Sequence, residues 1–409
     1  MNKKVKTISI MMAAMVGTSI FAGCGSEAKE AGEKKEDSSK EIVVWSNLMD
    51  NEVEELNKIA QEWAKENNKK VKVVKDDSGM QEFLTAANSA KGPDMLFGLP
   101  HNNIGTFQKA GLLEEVPSGF LNKGDYVESN IWDAVSFDGK EYAVPISMET
   151  YALFYNKDKV KEVPKTMDDL VKDAIKYGAT GFQFPINDFY YTAAFVQSYG
   201  GYIFGTKDGN YDVTDLGLNS EGAIKAYQYL QDLVQKDKLM AADTTQDIAN
   251  SLFASQDAIY YIGGPWDISG FEDNGVNFGI TAIPEINGQG AKSLMGVQTA
   301  FVSSKSDSKD DDWDLMKYLI ENSGEKLYEV GNRIPVLKSE LAKDEVKNSE
   351  YTQGFLEQLK YAVPMPNVSE SQGIWDASKN IQRILSGEDP KAVADDIQKA
   401  MEDSIKVAQ

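Results

Sequence analysis

Acidic and aromatic residues lie side by side at several places in the chain, and these pairs have the greatest capacity for chemistry. Glu149 comes two residues before Tyr151, and Asp188 comes two residues before Tyr190. Two carboxyl groups could act as a glycosidase pair, one as the acid and the other as the nucleophile or base. The same residues could instead form a sugar-binding groove, in which flat rings cover pyranose faces and carboxylates accept hydroxyl protons. Sequence spacing leaves both alternatives open.

Trp266 is predicted to stand where a buried strand passes into a helix. Residues 258–262 are apolar, β-branched or aromatic, and Gly263-Gly264-Pro265 interrupts the run. Proline suits the first turn of a helix, and ligands of open α/β sheets bind outside the carboxyl ends of such strands. The position makes Trp266 a candidate stacking platform, although this stretch on its own favours a tryptophan buried in the core.

The chain has one cysteine and one histidine, which excludes most nucleophilic and metal chemistry. Cys24 lies near the amino terminus, and His101 lies in a polar loop, residues 98–103. Neither a Ser/His/Asp nor a Cys/His arrangement is expected, and no metal-ligand spacing or phosphate-binding glycine loop occurs. We therefore expect no cofactor and no metal. His101 is typical of a hydrogen-bonding surface residue.

Short apolar runs alternate with amphipathic stretches in the first hundred residues. The runs 42–45, 71–74 and 94–97 are predicted strands, and the apolar residues between them recur at helical spacing. This alternation predicts a mostly parallel sheet with helices on its faces. The loop 98–103 then lies at the carboxyl end of the third strand. Residues 143–151 form an extended apolar run with a proline, which suits a crossing between two lobes.

The composition and the amino terminus indicate an exported, acidic protein. The chain has 42 basic and 64 acidic residues, a formal net charge of −22, which disfavours nucleic acid and anionic membrane surfaces as partners. Residues 1–23 resemble a signal peptide, with lysines before an apolar run too short to span a bilayer. Phe21-Ala22-Gly23-Cys24 resembles a bacterial lipobox, which implies a lipid on Cys24. Residues 24–40 lack aromatic and branched apolar side chains and are predicted to be a flexible tether.

Motifs spread over the whole body carry a family resemblance. They are Ile42-Val43-Val44-Trp45, residues 92–97, Pro145-Ile146 with Glu149, Tyr155-Asn156-Lys157-Asp158, Gly264-Pro265-Trp266, and Met365-Pro366-Asn367 with Trp375. In their order and spacing the chain resembles the solute-binding lipoproteins of ABC importers in the maltose/maltodextrin-binding family. The resemblance implies an α/β, two-lobe periplasmic-binding-protein fold with a cleft that closes about a hinge. Its three interlobe crossings would fall near 146–150, 294–298 and 346–351.

The resemblance also implies the residues of the site. Trp266, Trp375 and Tyr190 would stack on sugar rings, and Glu149 and Asp188 would accept hydroxyl hydrogen bonds. The segment after residue 97 departs from the family pattern of an aromatic residue followed by an acid, so the polar loop would supply the substitute contacts. The remaining candidates for substrate contact are His101, Asn102, Asn103, Asp94 and Tyr151.

The resemblance implies an N-terminal lobe of residues 41–147 and 298–347 and a C-terminal lobe of residues 148–297 and 348–409. It implies extracytoplasmic binding of maltose or longer maltodextrins, without catalysis, and delivery to the permease subunits of an ABC importer. We expect a monomer on the outside of a Gram-positive-type cell, held to the membrane by its lipid anchor alone. The alternatives are the same fold binding another oligosaccharide, and a secreted glycosidase.

Overall fold

The structure is a computed structural model that describes residues 40–408 except 79, 90, 91, 128–130, 138, 208 and 209. The predicted signal peptide, and Cys24 with its tether up to residue 39, lie outside the described residues. Lys40–Gln409 forms a single compact unit. Within the described ranges, no helix is both long enough and apolar enough to cross a membrane.

The chain alternates strands and helices along its length. The strands are β1 (Ile42–Ser46), β2 (Val71–Lys75), β3 (Met95–Pro100), β4 (Ser136–Phe137), β5 (Lys140–Glu141), β6 (Val144–Glu149), β7 (Ala152–Asn156), β8 (Phe182–Gln183), β9 (Phe204–Lys207), β10 (Asn210–Leu216), β11 (Tyr260–Gly263), β12 (Phe278–Thr281), β13 (Leu294–Val302), β14 (Ile334–Pro335) and β15 (Val363–Pro364). The helices are α1 (Asp50–Glu66), α2 (Met80–Ala87), α3 (Ile104–Lys109), α4 (Met167–Ile175), α5 (Phe189–Ser198), α6 (Glu221–Gln235), α7 (Gln246–Ala254), α8 (Ile268–Asp273), α9 (Lys309–Gly331), α10 (Lys338–Leu341), α11 (Asp344–Lys347), α12 (Glu350–Leu359), α13 (Gly373–Ala377), α14 (Ile381–Leu385) and α15 (Pro390–Ala408).

Two sheets of four or more strands organise the body. The first, in the N-terminal lobe (lobe 1), has the order β14-β6-β13-β3-β1-β2, with β15 beside β13. Here β1 pairs in parallel with β2 and β3, as predicted, whereas the long strand β13 runs antiparallel to both β3 and β6. The second, in the C-terminal lobe (lobe 2), has the order β12-β7-β11-β8. It is a mixed sheet, in which β7 runs antiparallel to β11 and β12.

The chain passes between the two sheets three times. Only Thr150 and Tyr151 separate β6 in lobe 1 from β7 in lobe 2. The second passage joins β12 to β13, and the third leads from β14 to α12, which packs on β12. Because β14, β6 and β13 are neighbours in one sheet, the three passages lie side by side and form a hinge region.

Each lobe has an apolar core, and a further buried cluster contains side chains of both sheets, such as Met148 and Phe154. In lobe 1 the buried face of α1 carries Leu56, Ile59 and Trp63 at helical spacing, and it packs against α9. In lobe 2 the rings of α5 and the side chains of β11 belong to one buried cluster. Burial of a single leucine or isoleucine contributes about 1.5–3 kcal/mol. Many such side chains therefore make each lobe a firm support for the polar groups at the hinge.

Candidate functional site

Aromatic residues predicted to contact a ligand come together on lobe 2. The ring centre of Tyr190 on α5 lies 4.9 Å from that of Tyr151 and 6.3 Å from that of Trp266. Tyr190, Trp266 and Trp375 are each partly exposed, and all three pack against the same buried cluster. Tyr190 and Trp266 form an aromatic surface that rests on this cluster and is open in part to solvent. Among the described residues, no ring contact joins Trp375 to them.

The turn that carries Trp266 is fixed by a buried carboxylate. Asp267 accepts hydrogen bonds from the Gly264 amide at 3.1 Å and from the Tyr261 hydroxyl and the Asn250 amide nitrogen, each at 2.9 Å. The indole lies over Gly264 so closely that a Cβ there would be 2.2 Å from the ring. Trp266 thus stands at the end of β11, as predicted, and it is not buried in the core.

Asp188 begins helix α5 and uses one carboxylate oxygen to do so. It accepts a hydrogen bond of 2.9 Å from the amide of Tyr190, which satisfies a donor at the first turn. The side chain is exposed, yet the surrounding protein raises the pKa of Asp188 above its usual value.

Glu149, at the end of β6, is buried in a polar network at the hinge. Its carboxylate accepts hydrogen bonds from the side-chain amide of Gln298, at 3.2 Å to each oxygen. Oε2 also accepts from Nη1 of Arg333 at 2.7 Å. Burial raises the pKa of Tyr190, and the negative charge of Glu149 raises it further. The Tyr190 hydroxyl is buried and has no hydrogen-bond partner within the described residues.

Arg333 links Glu149 to a second buried carboxylate, Glu52 on α1. Its Nε donates to Glu52 Oε1 at 2.6 Å, and its Nη2 donates to Oε2 at 3.0 Å. Burial alone would lower the pKa of Arg333, but the two carboxylates raise it above its ordinary value. Sequence reasoning missed both Arg333 and Glu52. The available signal was composition, since Arg333 is one of only two arginines in the chain.

Tyr151 is completely buried at the first crossing. Its hydroxyl accepts a hydrogen bond of 3.2 Å from the amide of Leu294, and burial raises the pKa of the phenol. The hydroxyl therefore joins the first crossing to the start of β13. The structure corrects its predicted role, because a fully buried phenol that bonds the backbone supports Tyr190 and leaves no surface for a ligand.

His101 is also buried, contrary to the expectation of a surface residue. Its Nε2 lies 2.9 Å from the carbonyl oxygen of Met365, and its Nδ1 accepts from the amide of Val297 at 3.0 Å. Burial lowers the pKa of His101 to about 4. With both ring nitrogens engaged in protein bonds, His101 joins loop, β13 and β15 rather than contacting a ligand.

The two asparagines of the loop differ from each other. Asn102 is 7% exposed, and its side-chain oxygen has no hydrogen-bond partner among the described residues. Asn103 is half-buried and donates to the carbonyl of Pro100 at 3.2 Å. Asn102 therefore keeps an unused acceptor, whereas the amide nitrogen of Asn103 stabilises its own turn.

Asp94 lies at the wrong end of its strand for the predicted role. It precedes β3 and accepts from the Val43 amide at 3.0 Å and from Lys40 Nζ at 3.1 Å. Residues 98–100 of the predicted loop belong to β3, and residues 101–103 follow the carboxyl end of this strand, about 20 Å from Asp94 at about 3.3 Å per residue. The structure corrects this prediction: Asp94 ties down the amino end of the sheet. Within the described ranges, no group of three His, Cys, Asp or Glu residues is arranged to hold a metal ion.

Two curated relatives match almost the whole chain. The galactooligosaccharide-binding protein of Bacillus subtilis (strain 168) is 32% identical over 99% of this chain and 98% of its own length. A maltooligosaccharide ABC transporter solute-binding lipoprotein of Streptococcus pneumoniae serotype 4 is 27% identical over the same shares. The chain is thus similar along its full length to binding proteins for oligosaccharides.

A solved structure and a family model agree with these relatives. The maltose-maltodextrin binding protein of Alicyclobacillus acidocaldarius matches with a TM-score of 0.83 and 36% identity, covering 89% of this chain and all of its own. This match confirms the predicted two-lobe α/β fold. The family model described as bacterial extracellular solute-binding protein matches residues 58–353. Proteins of this family bind solutes and are not enzymes. The chain belongs to the bacterial extracellular solute-binding protein family.

Proposed function

We propose that this protein binds maltose or, preferentially, longer maltodextrins between its lobes and delivers them to an ABC importer. The observation that carries the proposal is the partly exposed aromatic surface of Tyr190 and Trp266 beside the carboxylate of Glu149. Rings suit the apolar faces of pyranoses, and carboxylate and amide oxygens suit a neutral ligand rich in hydroxyl donors. The similar proteins named for maltooligosaccharides support this sugar class.

The proposed binding mode uses both lobes. Trp266, Trp375 and Tyr190 stack on sugar rings, each contributing about 1 kcal/mol beyond its area burial. Glu149 and Asp188 accept hydroxyl hydrogen bonds. From lobe 1, the unpartnered oxygen of Asn102 and the side chain of Asn103 would complete the contacts. Because only the closed arrangement collects all these contacts, the ligand shifts the population towards closure.

The cellular setting follows the same proposal. In this proposal one lobe comprises residues 41–147 with 298–347, and the other comprises residues 148–297 with 348–409. The boundary between residues 297 and 298 falls inside β13. A lipid on Cys24 and the tether hold a monomer at the outer face of a Gram-positive-type membrane, where it docks on permease subunits. The lipoprotein name of the pneumococcal relative supports the anchor.

A galactooligosaccharide is the second candidate ligand. The Bacillus subtilis relative, which is 32% identical, is named for binding it, against 27% for the pneumococcal maltooligosaccharide relative. Galactose and glucose differ in the orientation of one hydroxyl, so both suit aromatic platforms. Their discrimination depends on where polar acceptors meet that hydroxyl.

A tryptophan fluorescence titration tests the proposal. The body from residue 40 is titrated with maltotetraose, β-1,4-galactotetraose and xylotetraose. We expect a saturable change with maltotetraose, and Trp266→Ala should weaken binding at least tenfold, about 1.4 kcal/mol, without unfolding the protein. Tyr177→Ala, an exposed aromatic residue elsewhere on lobe 2, is the control and should bind like the parent.

The outcomes separate the candidates. Saturation by galactotetraose alone would keep the fold and the mechanism but replace the substrate. An unchanged dissociation constant for Trp266→Ala would remove that ring from the site. Release of shorter sugars from maltoheptaose in a reducing-end assay would contradict a pure binding protein.

A further inference from the structure

One arginine connects the three strands of the hinge region. Glu149 ends β6, Gln298 lies in β13, and Arg333 comes immediately before β14. These strands are neighbours in the order β14-β6-β13. The side chains of all three residues meet at the carboxylate of Glu149. A group that binds Glu149 therefore acts on every passage between the lobes at once.

Arg333 is itself held rigidly by lobe 1. Two of its nitrogens donate hydrogen bonds to Glu52, which has no exposed surface. Oε2 of Glu52 also accepts from the Met49 amide at 2.8 Å. A planar guanidinium bound at two points has little freedom to turn. Its remaining nitrogen, Nη1, is thereby directed at Oε2 of Glu149.

The bonds to Glu149 are unequal, and this decides which oxygen is available. Oε2 receives the charge-assisted bond of 2.7 Å from Arg333, whereas Oε1 receives only the Gln298 amide at 3.2 Å. Two carboxylates share one guanidinium, so the cluster keeps a net charge of −1. A hydroxyl donor reaching Oε1 would neutralise part of that excess.

We propose that Arg333 is a positioning residue for ligand binding: it holds Glu149 with Oε1 presented to the ligand and fixes that contact relative to the three crossing strands. The inference rests on the proposed function, in which Glu149 contacts the sugar. Arg333 does not touch the ligand itself. Without it, the Glu149 side chain loses the one ionic partner that it has among the described residues, and with it its orientation within the hinge.

A double-mutant cycle tests the proposal through Glu149. The full chain, purified in a detergent without a sugar headgroup, is titrated with maltotetraose by calorimetry as parent, Arg333→Met, Glu149→Gln and the double variant. We expect Arg333→Met to weaken binding at least tenfold in the parent but less than twofold in the Glu149→Gln background. Arg333→Lys should retain part of the affinity, because it restores a cation with fewer directed donors.

Controls separate positioning from folding. Arg383→Met changes the other arginine of the chain, whose partners are the surface residues Glu388 and Asp396, and it should bind like the parent. If Arg333→Met fails to fold, Arg333→Lys replaces it in the cycle. Equal losses of affinity in both backgrounds would overturn the positioning role while leaving the proposed function intact. Absence of binding by the parent to every sugar tested would overturn the proposed function and this inference with it.

Discussion

The single histidine makes the pH dependence of stability unusually simple to test. Met365 offers a carbonyl to Nε2 of His101, so Nε2 carries the proton, and Nδ1 accepts from the Val297 amide. A second proton would have to enter at Nδ1, where it would face an N–H donor. Lowering the pH therefore sets protonation of His101 directly against the native hydrogen bonds.

The direction and size follow from the two pKa values. The unfolded histidine binds its second proton near 6.5 and the folded one near 4. The stabilising contribution is thus fully present above pH 6.5 and is lost as the pH falls through 4. The difference between the two pKa values corresponds to a total loss of about 3 kcal/mol in the free energy of unfolding once the pH is below 4. About 1.3 kcal/mol of this is lost between pH 7.5 and 5.5.

Urea unfolding at pH 7.5 and 5.5 measures this loss against the many carboxyl groups that also titrate. The parent should lose about 1.3 kcal/mol more than His101→Gln, which keeps an amide donor but cannot be protonated. In an NMR titration, the single imidazole should show no protonation between pH 8 and 5. An imidazole that titrates near 6.5, or an equal loss in both proteins, would refute the buried neutral assignment.

Two further predictions concern buried carboxylates. Burial raises the pKa of Asp312 to about 7 from an ordinary 3.8, so its ionisation weakens the folded state as the pH rises from about 4 to 7. Asp312→Asn should raise the free energy of unfolding at pH 8 by as much as about 4 kcal/mol, and equal stability in urea would contradict this. A Cβ at Gly331 would lie 2.1 Å from Oε1 of Glu52, so Gly331→Ala should displace Glu52 from Arg333 and cost about 1–3 kcal/mol in thermal unfolding, whereas Gly270→Ala, with nothing within 4 Å, should be neutral or stabilising.

Local patterns predicted the features that depend on neighbouring residues. The apolar runs of β1 to β3 and the passage of β11 through a glycine pair to Trp266 are set by short-range preferences. The same holds for the crossing after β6, where proline, carboxylate and tyrosine follow one another. These predictions succeeded because each needs only a few adjacent residues to agree.

Contacts between distant residues escaped the sequence. Arg333 and Glu149 are separated by 184 positions, and Arg333 and Glu52 by 281. The spacing of apolar residues along the chain does not predict contacts between residues so far apart. The predicted exposure of His101 failed for the same reason, because its partners, Val297 in β13 and Met365 just after β15, lie far along the chain. Asp94 was misplaced although it begins its predicted strand, because ligands of open α/β sheets bind outside the carboxyl ends of the strands.

The distribution of polar and aromatic groups explains why a ligand would close this protein. The rings of Tyr190 and Trp266 rest on the core of lobe 2, so their stacking free energy is available whatever the angle of the hinge. Glu149 ends β6 at the first crossing, and its charge already acts on Tyr190. A ligand already stacked on lobe 2 gains the contacts of Asn102 and Asn103 only when the lobes meet. Because a ligand shifts an equilibrium only by its differential affinity for the two states, these contacts from lobe 1, more than the rings, would set the degree of closure.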